Sequence, residues 1–295
     1  MMATDVSFSD RLLRRIGRSA LPGTRGLLSR LGVLRKHRDI SFVVEFNSLR
    51  YKGQMSEYVD RHIWYFGAYS ANELDFLDHA ARVQSAKQPI VTFLDIGANV
   101  GQHSLFMSTR CQRVIAFEPN PDVANRLKIN CEANGLTNVE IHLIALGSED
   151  GTAVLGSGLP ANSGSRSLAW SMDKTQDLMI QVRHAGRYLS SEEILLNKID
   201  IIKIDVEGFE KSVFSAMAAL LQRDRPVILF ELVGKDIKGG FKSETELRQT
   251  LYKNYQLFSV SGSRRAKLLP FQWDGCEEAV CIPAEFLSDF RQLMV

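Results

Sequence analysis

The chain has 295 residues, of which 45% are apolar and 24% are charged, and its formal net charge at pH 7 is +2. These proportions are typical of a globular protein and exclude a disordered chain or one rich in membrane spans. No apolar run approaches the ~20 residues needed to cross a bilayer, and the N-terminus lacks the apolar stretch of a secretory signal, so we expect a cytoplasmic protein. The four cysteines form no C-x-x-C pair, so neither a zinc site nor a disulfide framework is indicated.

Residues 1–39 are predicted to form a basic arm. Residues 11–38 contain nine Lys/Arg and no Asp/Glu, and proline and glycine interrupt them, so we expect only short helical pieces. The first interpretation is a solvated, partly mobile arm. The alternative is a peripheral membrane contact, in which Leu12, Leu13 and Ile16 add apolar contact to the attraction of anionic headgroups. The remainder of the chain is mildly acidic, which argues against a nucleic-acid partner.

Residues 40–84 are predicted to form a small cap and a lead-in helix. The first part, up to residue 70, alternates apolar, polar and aromatic residues, which predicts a hairpin followed by a helix that carries Tyr58, Ile63 and Trp64. Apolar residues from 72 to 84 approximate helical spacing, which predicts an amphipathic helix before the first core strand.

Residues 85–295 show the alternation of strands and helices that is typical of a parallel α/β sheet. Five apolar runs alternate with helical segments, and this pattern predicts βαβ units. The runs are IVTFLD (90–95), RVIAFE (113–118), VEIHLI (139–144), IDIIKID (199–205) and PVILFE (226–231). A helix near 243–252 and two β-like segments, YQLFSVSG and CEEAVCI, follow them. A terminal antiparallel hairpin would complete a doubly wound sheet of seven strands.

The first core strand leads into a glycine-rich loop, FLDIGANVG (93–101). Glycines let a backbone approach a ligand closely, and the amides at the start of the next helix point towards it. The spacing D-x-G-x-x-x-G does not match the G-x-G-x-x-G of a dinucleotide site, so a ligand that carries an amino acid is favoured over a pyrophosphate. A nicotinamide-dependent oxidoreductase is therefore the disfavoured alternative.

A carboxylate closes the second core strand. At the carboxyl edge of a sheet, Glu118 can accept hydrogen bonds from both ribose hydroxyls of a nucleoside. We therefore predict one cofactor site made by the loop, this acid and the start of the next helix. Its candidate residues are Asp95, Gly97, Ala98, Asn99, Gly101, Glu118 and Asn120.

These motifs together resemble the FkbM family of methyltransferases. The resemblance extends over about residues 40–282 and is carried by LDIGANVG, AFEPNP (116–121), NVEIHLIALGSEDG (138–151), IDIIKIDVEGFE (199–210) and RPVILFEL (225–232). It implies a class I methyltransferase fold, which is Rossmann-like, with S-adenosylmethionine as methyl donor. It also implies O-methylation of a small-molecule or glycan acceptor, such as a sugar or natural product.

Two positions depart from the family pattern. The stretch HAGR (184–187) replaces the usual Leu-Asp-Asp before the fourth strand, and Ser70 stands where an acid is usual, with Glu73 close by. The first departure supports an alternative function, a catalytically idle methyltransferase-like module that binds a partner.

Methyl transfer to a hydroxyl needs the acceptor oxygen held opposite the leaving sulfur and a group that manages the hydroxyl proton. In the strand order usual for methyltransferases, strands one, four and five are neighbours, which would bring Asp95, Asp205 and Glu231 to one edge. Glu207 lies in the turn after the fourth strand and is the preferred candidate for the base, with Asp205 and Glu231 as further catalytic candidates.

The same acids have two alternative roles. Lys203 lies one pleat below Asp205 and, if buried, needs a partner, so an ion pair with Asp205 or Glu231 is the structural alternative. Asp205, Glu207 and Glu231 could instead hold a divalent cation, Mg²⁺ or Mn²⁺, that acidifies the acceptor hydroxyl.

Four further polar residues are weaker candidates. His103 and His184 could act as the base, although a single histidine more often serves packing or hydrogen bonding. Asn162 and Arg166, in the Gly/Ser-rich segment 156–168, could contact the substrate if this segment is a binding loop and not merely a surface loop.

Overall fold

The structure is a computed structural model that describes residues 7–19, 24–30, 40–156, 177–191, 194, 198–232, 240–251 and 254–295. Its helices are α1 (Phe8–Gly17), α2 (Thr24–Arg30), α3 (Tyr58–Phe66), α4 (Ala71–Ser85), α5 (Gln102–Ser108), α6 (Pro121–Ala133), α7 (Ala185–Leu189), α8 (Glu210–Ala216), α9 (Ala218–Asp224) and α10 (Glu244–Thr250), with a 3-10 helix at Ala284–Leu293. Its strands are β1 (Ser41–Phe46), β2 (Leu49–Gln54), β3 (Thr92–Ile96), β4 (Arg113–Phe117), β5 (Val139–His142), β6 (Ala145–Gly147), β7 (Gly151–Leu155), β8 (Leu178–His184), β9 (Ile201–Ile204), β10 (Val227–Glu231), β11 (Tyr255–Ser261), β12 (Lys267–Pro270) and β13 (Glu278–Pro283).

The central sheet has the order β12-β11-β13-β10-β9-β3-β4-β5. Strands β5, β4, β3, β9 and β10 are parallel, and β13 is antiparallel to both of its neighbours. The neighbouring positions of the first, fourth and fifth core strands, β3, β9 and β10, are confirmed. So is the terminal hairpin of β11 and β13. The short strand β12 pairs with β11 and adds an eighth strand to the seven predicted.

The sheet is buried on both faces, which explains why its strands read as continuous apolar runs. Adjacent residues of β3 show this, because Phe93 belongs to the hydrophobic cluster on one face and Leu94 to the cluster on the other. The first cluster also contains Phe42, Ile63 and Leu77 from the predicted cap. The cap and one face of the sheet therefore share a core, and the boundaries at residues 39/40 and 84/85 stay a prediction.

The cap has the predicted hairpin, β1 and β2, followed by helix α3. Asp60 connects them, because its carboxylate accepts hydrogen bonds from the Tyr51 hydroxyl at 2.6 Å and from the Gln54 amide at 2.5 Å. Arg126 of α6 pairs with the same carboxylate. The buried acid thus connects the hairpin, the cap helix and helix α6.

The described part of the basic arm forms two short helices, as expected. Helix α1 packs on α3: Arg18 donates to the Ile63 carbonyl at 3.0 Å, and the Tyr65 hydroxyl donates to Asp10 at 2.5 Å. This docking differs from the mobile arm of our first interpretation. Among the residues described, no helix has the length and apolar character needed to cross a bilayer.

A second, three-stranded sheet with the order β6-β8-β7 follows β5. The sequence analysis did not predict it, because its strands are short or largely exposed and lack a clear apolar run. The Gly/Ser-rich segment begins directly after β7. Its candidate residues Asn162 and Arg166 lie outside the described residues.

Candidate functional site

A pocket opens at the carboxyl ends of β3, β4, β9 and β10, where an open α/β sheet binds its ligands. The space between its walls, open mouth included, is about 900 Å³. The glycine-rich loop, the acid after β4 and the turn after β9 form its floor and walls, and the cap and the small sheet contribute the rest.

The two glycines of the loop are required by packing between parts of the chain. Gly97 has a φ of +81°, and a Cβ atom there would lie 1.7 Å from the Asp205 carbonyl oxygen. Gly101 has a φ of +85°, and a Cβ atom there would lie 2.1 Å from a Leu127 methyl group. Gly97 also lines the pocket. The sequence argument that these glycines make room for a ligand is therefore incomplete, because the neighbouring backbone and α6 already occupy that space.

Glu118 lines the pocket and is held by the backbone on both sides. One carboxylate oxygen accepts from the Asn99 amide and the other from the Asn120 amide, each at 2.9 Å. Burial raises the pKa of Glu118 to about 7, although these two amides oppose the change. Each oxygen keeps a second lone pair, so this carboxylate can accept hydrogen bonds from two ligand hydroxyls.

The other predicted cofactor residues lie behind the wall of the pocket. Asp95 is fully buried and accepts from the Ser104 hydroxyl at 2.6 Å. Ala98 belongs to the hydrophobic core, and Asn120 caps α6 by accepting from the Asp122 amide. Of the predicted set, Gly97, Asn99 and Glu118 line the pocket; for all seven, the cofactor role stays a prediction.

The pocket also has apolar walls that the sequence analysis missed. Phe117, directly before Glu118, lines it and stacks on His142 with ring centroids 5.1 Å apart. Leu146 and Leu155 reach it from the small sheet. These walls suit a flat, largely apolar group of a ligand. Phe117 could have been found in the sequence, because it ends β4 directly before Glu118.

The predicted catalytic acids converge at the rim of the sheet. One oxygen each from Asp205, Glu207 and Glu231 lies within 4.8 Å of the others. The register explains this, since Ile204 pairs with Phe230 and the acids that follow stand side by side. Asp95 pairs instead with Lys203, so it lies deeper and does not join the pocket edge as expected.

Lys203 pairs with Asp205, as the structural alternative predicted. Its side chain is only 4% exposed, and its ammonium donates to Asp205 at 2.8 Å and to the Gly97 carbonyl at 3.2 Å. Burial is the largest single influence and would raise the pKa of Asp205, but the Lys203 charge together with the hydrogen bonds from Lys203 and Glu231 lowers that pKa overall. Asp205 is therefore an ionised carboxylate with a fixed partner.

The pKa values of the two other acids, Glu207 and Glu231, are shifted in the opposite direction. Burial, and then the Asp205 charge, raises the pKa of Glu231 to about 10 and that of Glu207 to about 8. Glu231 is therefore protonated near neutral pH and donates a hydrogen bond to Asp205. A group that titrates near pH 8 is well placed to accept a proton from a substrate hydroxyl.

The turn that carries Glu207 is constrained. Glu207 has a φ of +52°, which is uncommon for a residue with a side chain. Glu210, at the start of α8, holds the turn because its carboxylate accepts from the Val206 amide at 3.3 Å and from the Gly208 amide at 3.0 Å. The side chain of Glu207 is thereby positioned on the pocket wall.

The weaker candidates and the family departures lie elsewhere. His103 faces the buried Glu73 at 3.1 Å, and His184 accepts from the Arg187 amide at the start of α7. Neither histidine is among the described residues that line the pocket. The sequence analysis missed Glu278, which pairs with Glu231 across β10 and β13 and whose pKa is raised by burial and by neighbouring acids.

Comparisons with known proteins find similarity to methyltransferases. The family model described as the methyltransferase FkbM domain matches residues 95–258, more than half of the chain. Methyltransferase 1 of Beauveria bassiana is 26% identical over 143 residues, which cover 42% of this chain and 57% of that protein. Hexuronic acid methyltransferase AglP of Haloferax volcanii is 30% identical over 161 residues, covering 54% of this chain and 64% of that protein.

The chain thus spans less than two thirds of the length of these curated relatives. A crystal structure of methyltransferase FkbM from Methylobacillus flagellatus superposes with a TM-score of 0.41 and 12% identity, covering 88% of this chain and 59% of that one. The family match confirms the resemblance that the sequence motifs carry, and the sheet has the class I methyltransferase order. The chain belongs to the FkbM methyltransferase domain family.

Proposed function

We propose that the chain is an S-adenosylmethionine-dependent methyltransferase that methylates a hydroxyl group of a sugar, a glycan or a natural product. The observation that carries this proposal is one pocket, in a fold of this family, that combines the ribose-compatible acid Glu118 with the three clustered acids Asp205, Glu207 and Glu231. The hexuronic acid methyltransferase among the relatives supports a carbohydrate acceptor.

The proposal assigns a task to several side chains at the pocket. The bound donor supplies an electrophilic methyl group. Glu118, Phe117 and Leu155 line the pocket, and in the bound state Glu118 would accept the ribose hydroxyls while Phe117 and Leu155 would contact the adenine. Glu207 would take the proton of the acceptor hydroxyl as its oxygen bonds to the methyl carbon, the methyl–sulfur bond would break, and S-adenosylhomocysteine would leave, while Lys203 keeps Asp205 ionised beside Glu207.

A ligand panel tests the proposal. S-adenosylhomocysteine should raise the melting temperature, because a ligand that binds only the folded state opposes unfolding by mass action. NADH serves as the control, and a shift by NADH alone would favour the oxidoreductase. Transfer of label from the methyl donor to a hydroxylated acceptor distinguishes an enzyme from an idle module. No thermal shift at millimolar S-adenosylhomocysteine contradicts the proposal.

A divalent cation at Asp205, Glu207 and Glu231 is a second proposal about the same site. Their oxygens are close enough to share one ion, and Mg²⁺ or Mn²⁺ prefers such ligands. Because Lys203 already neutralises Asp205, we favour the base role for Glu207. Activity that disappears in EDTA and returns with Mg²⁺ or Mn²⁺ supports a required cation, and full activity in EDTA excludes that proposal.

We also propose that helix α1 lies on an anionic membrane surface. Phe8, Leu12 and Ile16 are spaced by four residues, so they share a face, and they are 83%, 49% and 36% exposed. Arg11 and Arg15 are also exposed and complement anionic headgroups. Leu13, expected on this surface, packs against the hydrophobic core instead.

Vesicle sedimentation tests this surface. The full chain should bind vesicles that contain phosphatidylglycerol and not vesicles of phosphatidylcholine alone, and Leu12→Glu should abolish the binding. Ile90→Glu is the matched control, because Ile90 is an exposed apolar residue outside this helix. Equal binding by wild type and Leu12→Glu contradicts the proposal.

A further inference from the structure

An aromatic cluster from the cap stands beside the pocket. It consists of Tyr58 and His62 of α3 and Tyr69 of the segment that follows α3. The ring centroid of Tyr69 lies 5.8 Å from that of Tyr58 and 5.2 Å from that of His62, and both contacts are T-shaped. Within this cluster Tyr69 lines the pocket, and it is 40% exposed although it is a large aromatic side chain.

Tyr69 is fixed relative to the loop predicted to bind the cofactor. Its backbone amide donates to the Gln102 side chain at 2.6 Å, and Gln102 is a buried residue at the start of α5, directly after the glycine-rich loop. Gly67, with a φ of +91°, ends α3 and turns the chain towards this position. A ring that is already ordered by folding loses little freedom when a ligand packs against it.

Tyr69 lines the same pocket as Asp205, Glu207 and Glu231. Burial raises the pKa of Tyr69, and the neighbouring Tyr58 and the charge of Asp205 raise it further. Glu231 acts in the same direction. The phenol is therefore protonated at neutral pH and can donate a hydrogen bond. Val59 of α3 adds an apolar side chain to the same wall.

We propose that Tyr69 and Val59 form the acceptor subsite, and that it takes a pyranose ring whose C–H face packs on the Tyr69 ring. A pyranose has apolar C–H faces and a polar rim, so it suits an aromatic wall beside carboxylates that accept from its hydroxyls. This placement would bring one ring hydroxyl to Glu207, which lines the same pocket. The inference rests on the proposed methyltransferase function and names its substrate class.

The test measures the donor site and the acceptor subsite separately. Saturation-transfer NMR with the full chain in S-adenosylhomocysteine gives the Kd of a neutral and an anionic pyranose, methyl β-D-glucopyranoside and methyl β-D-glucuronopyranoside. Calorimetry gives the Kd of S-adenosylhomocysteine for the same proteins. The variants are Tyr69→Phe, which keeps the ring, and Tyr69→Leu, which removes it. Phe8→Leu is the control, because it removes an exposed aromatic ring outside the pocket.

Tyr69→Leu should raise the pyranoside Kd by about five- to tenfold, the loss expected for one aromatic packing contact, with the S-adenosylhomocysteine Kd unchanged. Tyr69→Phe should stay within about threefold of wild type, since it loses only the hydroxyl. The proposal is overturned if neither pyranoside binds wild type, or if Tyr69→Leu weakens S-adenosylhomocysteine and leaves the pyranosides unaffected. Failure of S-adenosylhomocysteine to bind wild type refutes the methyltransferase function itself.

Discussion

Replacement of Lys203 by methionine tests the electrostatic design of the site. The Lys203 ammonium lies 2.8 Å from Asp205 and 4.0 Å from Asp95, and Asp95 is fully buried. Lys203→Met keeps most of the side-chain volume but leaves these two carboxylates without their counter-charge. Breaking a buried ion pair in this way costs about 3–5 kcal/mol, which is a large part of the roughly 5–15 kcal/mol that stabilises a protein.

Asp205→Asn should be the milder change. Lys203 then keeps Asp95 at 4.0 Å and the Gly97 carbonyl at 3.2 Å, so its charge is still partly compensated. We expect a loss of about 1–3 kcal/mol, the typical effect of one hydrogen bond to a charged group. Lys203→Met should therefore lose more stability than Asp205→Asn, because Asp95 still compensates the Lys203 charge in the Asp205→Asn variant.

The pH dependence has a definite sign. Lys203 lowers the pKa of Asp205, so in the wild type this pair adds stability above the unfolded pKa of about 4 and loses it as the pH falls. Lys203→Met lacks that contribution. The difference in unfolding free energy between wild type and Lys203→Met should therefore be larger at pH 7 than near pH 4.

Urea unfolding and thermal melting at both pH values measure these differences. At about 2–4 °C per kcal/mol, Lys203→Met should melt roughly 6–20 °C below wild type at pH 7. Lys128→Met is the matched control, because Lys128 forms an exposed pair with Glu132 at 3.9 Å, and such pairs contribute about 0–1 kcal/mol. The reasoning is refuted if Lys203→Met has the same melting temperature as the control, or if Asp205→Asn lowers the melting temperature more than Lys203→Met does.

Three further predictions concern the pocket. Glu118→Ala should weaken S-adenosylhomocysteine by about 1–3 kcal/mol in calorimetry, and unchanged affinity would exclude the ribose role. Glu207→Gln should lower turnover on the order of a hundredfold. The wild-type rate should rise with pH up to about 8, where Glu207 loses its proton. If Glu207→Gln is as fast as wild type, Glu207 is not the base. Because a raised carboxylate pKa means that wild type loses stability as the pH rises through about 8, Glu207→Gln should also be relatively more stable at pH 9 than at pH 6 in melting assays. Gly97→Ala should lower the melting temperature even without ligand, since its Cβ would overlap the Asp205 carbonyl. If the variant is as stable as wild type but no longer binds S-adenosylhomocysteine, Gly97 is needed to make room for the ligand.

The local pattern of the sequence was sufficient to identify the core strands and the acids at their ends. An apolar run that ends in Asp, Glu or a glycine-rich loop implies a buried strand whose carboxyl end meets solvent, and this requires no knowledge of distant residues. Glu118, Asp205, Glu207 and Glu231 were all found in this way, and all four line one pocket.

Only the tertiary structure decided the depth, pairing and surroundings of these residues. Asp95 shares its strand-end pattern with Asp205, yet the register places it beside Lys203 below the pocket. Gly97 is needed because another strand's carbonyl occupies the place of its side chain, and Tyr69 reaches the pocket through a contact with Gln102. The depth and pairing of these residues depend on contacts between parts of the chain that are far apart in sequence. The periodicity of a segment predicts only which of its own faces is buried.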